Sequence, residues 1–396
     1  MSNLPWINKE VLFENEFYNR KEEIMSIETL LQMTAMSNAP KILLTGVRCV
    51  GKTVLLNKIK LDLNDDYLVI YSDFSSADCY QKNNMTPEGI LTHLYKDTIK
   101  ECKNKKINLA TKRIKKFFKT NDFNIEQIVN IDKIPVPIIK SNVNFNNLKE
   151  FVLELPQIVY EENTDKIKGV IILIDEFQII KELGNYKESF LWVIRSYIQK
   201  QNNVAYVFTG SMGLEDELIY DISGKNGVFG GRLLTIHIPK FSKELTKKYL
   251  EERAEDLLLT EKAFDRFYKC TSGIPAYINM FGILLPKNVL LDEEEIVEKF
   301  DENLPTILTH LINLWNRLSK KEKDIIISLL NKPLKRIEIA NKLEVTSGSL
   351  SLSLNKLQNL ALIEFKENKY HLSERLLGRW LIKEFEKKGS YPYIVY

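Results

Sequence analysis

Residues 46–53 read GVRCVGKT, that is Gly46, Val47, Arg48, Cys49, Val50, Gly51, Lys52 and Thr53, and fit the pattern G-x-x-x-x-G-K-[ST]. The pattern has a physical basis. Its glycines let successive backbone N–H groups turn inward around phosphate oxygens, the lysine reaches the outer phosphates, and the next hydroxyl ligates Mg²⁺. The flanks agree. KILLT (Lys41 to Thr45) reads as a buried strand, and VLLNKIKLDL, starting at Val54, reads as a helix whose N-terminal dipole faces the anion. Gly46 to Val54 are therefore the expected nucleotide cradle, with Lys52 on the β and γ phosphates and Thr53 on the metal. Cys49 reads as a small filler rather than a redox switch.

Such a loop calls for an acid at the end of a neighbouring apolar strand, and VIILIDE supplies it. Asp175 is the expected metal residue and Glu176 the group that polarises the attacking water. The plainer alternative is that both carboxylates only cap the strand. The adjacent Glu favours hydrolysis over passive binding, because a binding-only site needs no base. VAYVFTGS then offers Thr209 or Ser211 to the γ-phosphate, unless these hydroxyls simply cap a turn. In FGGR, Arg232 either stabilises the transferring phosphoryl group, within the chain or across a subunit interface, or is a surface arginine.

Outward from these motifs, five short runs alternate with helical stretches: Lys41 to Thr45, Tyr67 to Ser72, Val170 to Ile174, Val204 to Thr209 and Leu233 to Ile238. Runs apolar on both faces and separated by helices predict an α/β core with a parallel sheet. About a hundred residues separate the second and third runs, so an insertion is expected at about 78–165. It opens with a helix around Pro87 to Cys102, and its IDKIPVPIIK suits an edge hairpin. Eight cations between Lys103 and Lys119 form either a solvated face or a docking surface for nucleic acid or a protein. The strand signal stops near Pro239, which places a core at 1–240, a helical lid at 241–315 and a last domain at 316–396. LDEEE carries Asp292 and Glu295 at capping-box spacing, so it opens a helix rather than forming an acidic tail.

Composition narrows the class. The chain has 396 residues, 44% hydrophobic and 28% charged, with 12 Pro and 16 Gly, which excludes collagen-like and compositionally disordered chains. No apolar run approaches the roughly 20 residues of a bilayer span. The N-terminal residues carry no secretion pattern, so a cytoplasmic protein is expected. Four dispersed cysteines and four dispersed histidines suggest neither a disulfide framework nor a zinc site.

Taken in order, FYNRKEE (Phe17 to Glu23), GVRCVGKT, LIDEFQ (Leu173 to Gln178), FTGS (Phe208 to Ser211), GGR (Gly230 to Arg232) and SGIP (Ser272 to Pro275) resemble the archaeal-type ATPases of the AAA+/STAND group of P-loop NTPases. The resemblance covers most of the chain. It implies a five-stranded parallel core sheet, a helical lid and a C-terminal winged helix. It also implies that Arg20 lies near the nucleotide and that Gly273-Ile274-Pro275 replaces the sensor arginine of ordinary lids. The long interval between Ser211 and Arg232 departs from the family pattern.

The last domain reads as three short helices, a hairpin (LIEFKENKYHL) and a closing amphipathic helix, a winged-helix order. Ser319 and Glu322 form a capping box, and Leu350, Leu354 and Leu357 share one face. From Arg317 to Tyr396 there are 16 Lys and Arg against 9 Asp and Glu, a balance of +7 in a chain whose total is +3. That asymmetry suits phosphate backbones. The candidate recognition helix, however, shows Ser347, Ser349, Ser351, Ser353 and Asn355 with only Lys356 as cation, so base-specific reading is not expected. The sequence thus predicts an Mg²⁺-dependent ATP-hydrolysing switch that couples ATP or ADP state to a winged helix on double-stranded DNA or a protein. The rivals are a DNA-binding assembly factor, initiator-like or transposon-helper-like, that oligomerises with ATP, and a defence-associated regulator with a protein-binding winged helix.

Overall fold

The computed structural model describes residues 4, 17–107, 128–131, 134–137, 145–210, 217–223 and 227–393. They fall into two compact units, Glu10–Pro239 and Met1–Lys9 with Lys240–Tyr396.

The first unit is built on a five-stranded parallel sheet of β1 (Lys41–Thr45), β2 (Leu68–Asp73), β5 (Val170–Asp175), β6 (Val204–Thr209) and β7 (Leu234–His237). Their order across the sheet is β2-β5-β6-β1-β7. Central strands of a parallel sheet bury both faces, and side chains alternate between them. In β5, Val170, Ile172 and Ile174 enter one apolar layer while Ile171 and Leu173 enter the other. β6 repeats this, with Val204, Tyr206 and Phe208 on the first side and Ala205 and Val207 on the second. Helices Pro87–Asn104, Phe145–Glu161 and Lys187–Ile198 cover the first face, and helices Lys21–Gln32 and Lys52–Leu63 cover the second.

The stretch expected as an insertion thus begins and ends with helices that belong to this sandwich. Leu91, Tyr95, Leu148, Phe151 and Val152 are all core residues. Between them β3 (Ile128–Ile131) and β4 (Ile134–Pro137) form the expected antiparallel hairpin, with Asn130 opposite Pro135. Most of the basic stretch, Lys112 to Lys119, lies outside the described residues.

In the second unit, helices Lys243–Arg253, Glu261–Thr271, Pro275–Leu284, Glu293–Ile307 and Thr309–Arg317 follow one another, with a short parallel pairing of β8 (Leu258–Leu259) and β9 (Leu290–Leu291). Asp292 makes the expected capping box with Glu295. Leu4 belongs to this unit and is buried; a Cβ at Gly282 would lie 2.7 Å from Leu4 Cδ1. Helices Lys320–Ser328, Arg336–Lys342 and Ser351–Asn359 come next, then β10 (Ile363–Lys366) and β11 (Lys369–Leu372), then helix Arg375–Lys388. The β10–β11 hairpin turns at Glu367 and Asn368, both left-handed, and Leu334 pairs with Tyr370 on its outer edge. Leu350, Leu354 and Leu357 are buried together, as their spacing requires.

The end of the chain folds back. Trp315 is fully buried, its Nε1 donates to the Pro392 carbonyl at 2.6 Å, and Trp380 meets it edge-on at 6.3 Å. Lys323 Nζ donates to the Tyr393 carbonyl at 2.6 Å. Trp315→Phe keeps most of the ring volume and leaves the buried Pro392 carbonyl without its donor. Urea denaturation followed by circular dichroism should show a loss of about 1–3 kcal/mol, and Trp315→Ala about 3–5 kcal/mol. A Phe variant as stable as wild type would remove this bond from the account.

Candidate nucleotide site

In an open parallel sheet, ligands bind outside the carboxyl ends of the strands, at the switch point in strand order. Here those ends belong to β1, β6 and β5. Gly46 follows β1 directly with φ of 153°, and a Cβ there would stand 2.8 Å from the Ile238 carbonyl oxygen. Only glycine permits both the angle and the approach. Cys49, at φ 64°, and Gly51, at φ 103°, complete the loop, and the helix begins at Lys52. Val50 turns into the core and anchors the loop from below. Val47, Arg48, Cys49, Gly51, Thr53 and Val54 remain partly accessible.

Lys52 Nζ donates to the carbonyls of Gly46 and Val47, both at 2.9 Å, so the ammonium folds back across the mouth of its own loop. Burial pushes it down to about 8, against the opposing pull of Glu176 and Asp175. An ammonium with two carbonyl partners in a loop this polar is prepared for anionic oxygens.

Asp175 collects donors from three directions. Thr53 Oγ1 donates to Oδ2 at 2.6 Å and Tyr71 OH to the same oxygen at 3.1 Å. Thr209 Oγ1 donates to Oδ1 at 2.8 Å, as does the Glu176 backbone N–H at 2.9 Å. Burial and the adjacent Asp175 charge push the Tyr71 phenol well above its ordinary range, so it acts as a donor. The hydroxyl of Thr53 and the carboxylate of Asp175 bring hard oxygen donors together, the donor chemistry that Mg²⁺ selects. The loop and this pair therefore fit a nucleotide with its magnesium ion.

Glu176 sits at φ 52° immediately after β5, a left-handed position that turns its side chain out of the strand direction. Gln178 Nε2 donates to its carboxylate. Burial, and next the Asp175 charge, raise the Glu176 carboxyl above the ordinary range. On the far side of the loop, Thr45 Oγ1 and His237 Nδ1 lie 3.2 Å apart. Burial lowers the His237 imidazole, and the Lys52 charge lowers it further.

The other expected site residues lie around this centre or apart from it. Arg20 is buried, with Nη2 donating to the Pro239 carbonyl at 2.6 Å and Nη1 to Glu23 at 3.1 Å. Pro239 follows Ile238, the residue that covers Gly46, so Arg20 braces the segment beside the loop. Arg232 is exposed after Gly231; its backbone N–H donates to Phe229, and its guanidinium makes no hydrogen bond or ion pair among the described residues. Ser211 lies outside the described residues. Pro275 is in the second unit, at the first position of helix Pro275–Leu284. Gly273 precedes it at φ 69°, where a Cβ would be 2.2 Å from the Phe241 carbonyl oxygen, so the SGIP turn requires glycine there. Sequence reasoning missed Tyr71 and Gln178 and left the partner of Thr209 undefined. The available signal was position: Tyr71 lies in the carboxyl half of β2, Thr209 ends β6, and Gln178 stands two residues after Glu176.

A five-stranded parallel sheet with this loop after β1, and an acid two strands away after β5, defines a P-loop NTPase. Residues 17–281 match the ATPase domain found predominantly in Archaea, and the chain belongs to that family. It is 23% identical over 275 residues to an uncharacterised ATP-binding protein of Methanocaldococcus jannaschii, covering 66% of this chain and 70% of that one. Its fold resembles the Walker-type ATPase of Pyrococcus abyssi with a TM-score of 0.55 at 20% identity, covering 92% of this chain and 96% of that one. No helix among the described residues is long and apolar enough to cross a membrane.

Thr209→Val should cost about 1.5–3 kcal/mol in thermal unfolding, the range for a hydrogen bond to a charged group. Unchanged stability would show that the Thr209 to Asp175 bond contributes nothing.

Proposed function

We propose that this protein hydrolyses ATP with Mg²⁺ and works as a nucleotide-dependent switch acting on DNA or a protein through a C-terminal winged helix. One observation carries the reading: Lys52, Thr53, Asp175 and Glu176 come together at the carboxyl ends of β1 and β5, with Thr53 bonded directly to Asp175. Magnesium held by Thr53 and Asp175 would neutralise charge on the β and γ phosphates. The loop N–H groups and Lys52 bind the triphosphate, with Lys52 releasing the Gly46 and Val47 carbonyls as it turns to the phosphates. Tyr71 and Thr209 hold Asp175 in one orientation. Glu176 accepts a proton from the attacking water, and Gln178 fixes the direction of its carboxylate. Arg232, exposed and without a partner among the described residues, would stabilise the transferring phosphoryl group, and Ser211 follows the strand that carries Thr209.

Lys52→Ala should weaken ATP binding at least tenfold. Glu176→Gln should bind ATP as wild type does and lose about 10²–10⁴ in turnover, the usual share of a general base. Equal steady-state phosphate release by Glu176→Gln and wild type would remove Glu176 from catalysis.

The element order after Lys320, with Leu334 adding a third pairing to the β10–β11 hairpin, supports the winged-helix reading. Its candidate recognition helix has little free charge. Lys356 pairs with Glu322 at 3.2 Å, and Arg336 donates to the Ser347 carbonyl at 2.9 Å. Leu352 on the same helix is 85% exposed. These features favour backbone contact by the hairpin over base reading by the helix. If DNA is the partner, log affinity should fall with log salt by about 0.9 per phosphate neutralised. Changing Lys366 and Lys369 together to Gln should flatten that slope by up to about two units. An unchanged slope in a filter-binding titration would exclude the hairpin as the contact.

A further inference from the structure

The second unit contains a cleft of about 690 Å³ between helices Glu261–Thr271 and Glu293–Ile307 and the C-terminal module. Six cations line it, Arg266, Lys269, Lys332, Arg375, Arg379 and Lys383, and among the described residues no carboxylate does. Three acids pair with three of the cations, among them Glu386, which meets Lys383 Nζ at 3.0 Å. Arg379 Nε meets Asp301 at 2.6 Å, Lys383 Nζ meets the same carboxylate at 3.6 Å, and Arg266 Nε donates to Glu293 at 2.9 Å. Lys269, Lys332 and Arg375 have no ion pair among the described residues. Positive groups gathered around a concavity repel one another, and its low-dielectric walls focus their field into it.

A second observation concerns the wall. His371 lines the cleft, and its Nε2 is buried with no hydrogen-bond partner among the described residues. A buried ring nitrogen without a partner is costly, and a ligand oxygen can relieve that cost once the ring turns toward it. The floor is apolar. Phe300 and Leu329 are buried there, and the Arg379 guanidinium lies 5.8 Å from the Phe300 ring centre.

We propose that this cleft binds a phosphate-bearing small molecule of nucleotide size, at a site separate from the P-loop. The volume is that of a small-ligand pocket, within the usual range of about 300–1,000 Å³. Three cations with no ion pair among the described residues call for more than one phosphate charge. The apolar floor accepts the rest of such a molecule.

The test uses the full chain and ADP as probe, by isothermal titration calorimetry at fixed ionic strength. Wild type should bind two equivalents, and Lys52→Ala should keep one. In the Lys52→Ala protein, adding Lys332→Ala and Arg375→Ala should weaken the remaining site at least tenfold. Both side chains are exposed, so the fold should survive, which circular dichroism would check. With Lys52 intact, the same two changes should leave one equivalent at the P-loop. Tripolyphosphate should compete at the second site if phosphates dominate recognition. A single ADP site lost in Lys52→Ala would overturn the proposal and leave the P-loop reading standing. A single wild-type site, kept in Lys52→Ala and lost with Lys332 and Arg375, would support the cleft and overturn the P-loop reading. A second site indifferent to Lys332 and Arg375 would also overturn it. So would a 20-bp duplex that binds through these two residues where ADP finds no second site, which would assign the cleft to nucleic acid.

Discussion

The Asp175 carboxylate accepts four hydrogen bonds, and the donors come from the helix after the phosphate loop, from β2, from β6 and from the next backbone N–H. One charged group thereby fixes the relative positions of three chain segments far apart in sequence. The constraint is tight because side chains alternate along a strand: a slip of one residue in β6 would turn Thr209 to the other face. The same slip would exchange its two apolar layers, so packing and site geometry enforce a single register. The strand order has the same logic. With β6 between β1 and β5, its carboxyl end stands between the loop and the acid, which is where a hydroxyl can touch both.

Much of this was legible in the residues. The five parallel strands follow the five short apolar runs, and each begins and ends within one residue of the sequence limits. The loop needed only its spacing, because backbone N–H groups and a helix N-terminus do the binding and few other residues permit the turn at Gly46. The capping boxes at Asp292 and Ser319 were readable for a similar reason: a cap is local, set by residues three apart.

Long-range pairing was not legible. Nothing in LVIYSD announces that Tyr71 will reach Asp175, since that contact exists only because β2 and β5 lie side by side. The helices Pro87–Asn104 and Phe145–Glu161 looked like part of an insertion because sequence distance from the strands hid their burial against the sheet. Arg20 was expected by resemblance near the nucleotide, and what the sequence did not show is that its guanidinium supports the carbonyl of Pro239, the residue after Ile238, whose own carbonyl faces Gly46. Charge was legible as a total but not in its disposition: the excess of cations after Arg317 was countable, while the pairing of Lys356 with Glu322 and the gathering of cations around His371 depend on folding.

Leu4 has a consequence for how the chain is made. It packs beside Gly282, so nearly the whole of the phosphate-binding unit lies between two residues that end as neighbours. At about 5–20 residues per second, a ribosome needs on the order of tens of seconds to deliver the second after the first. During that interval an apolar side chain on the N-terminal side of the sheet has no home, while the sheet, whose strands are all complete by His237, can already close. Vectorial synthesis therefore sets an order of assembly: the nucleotide-binding unit matures first, and the unit that holds both Leu4 and the C-terminal helices is sealed last.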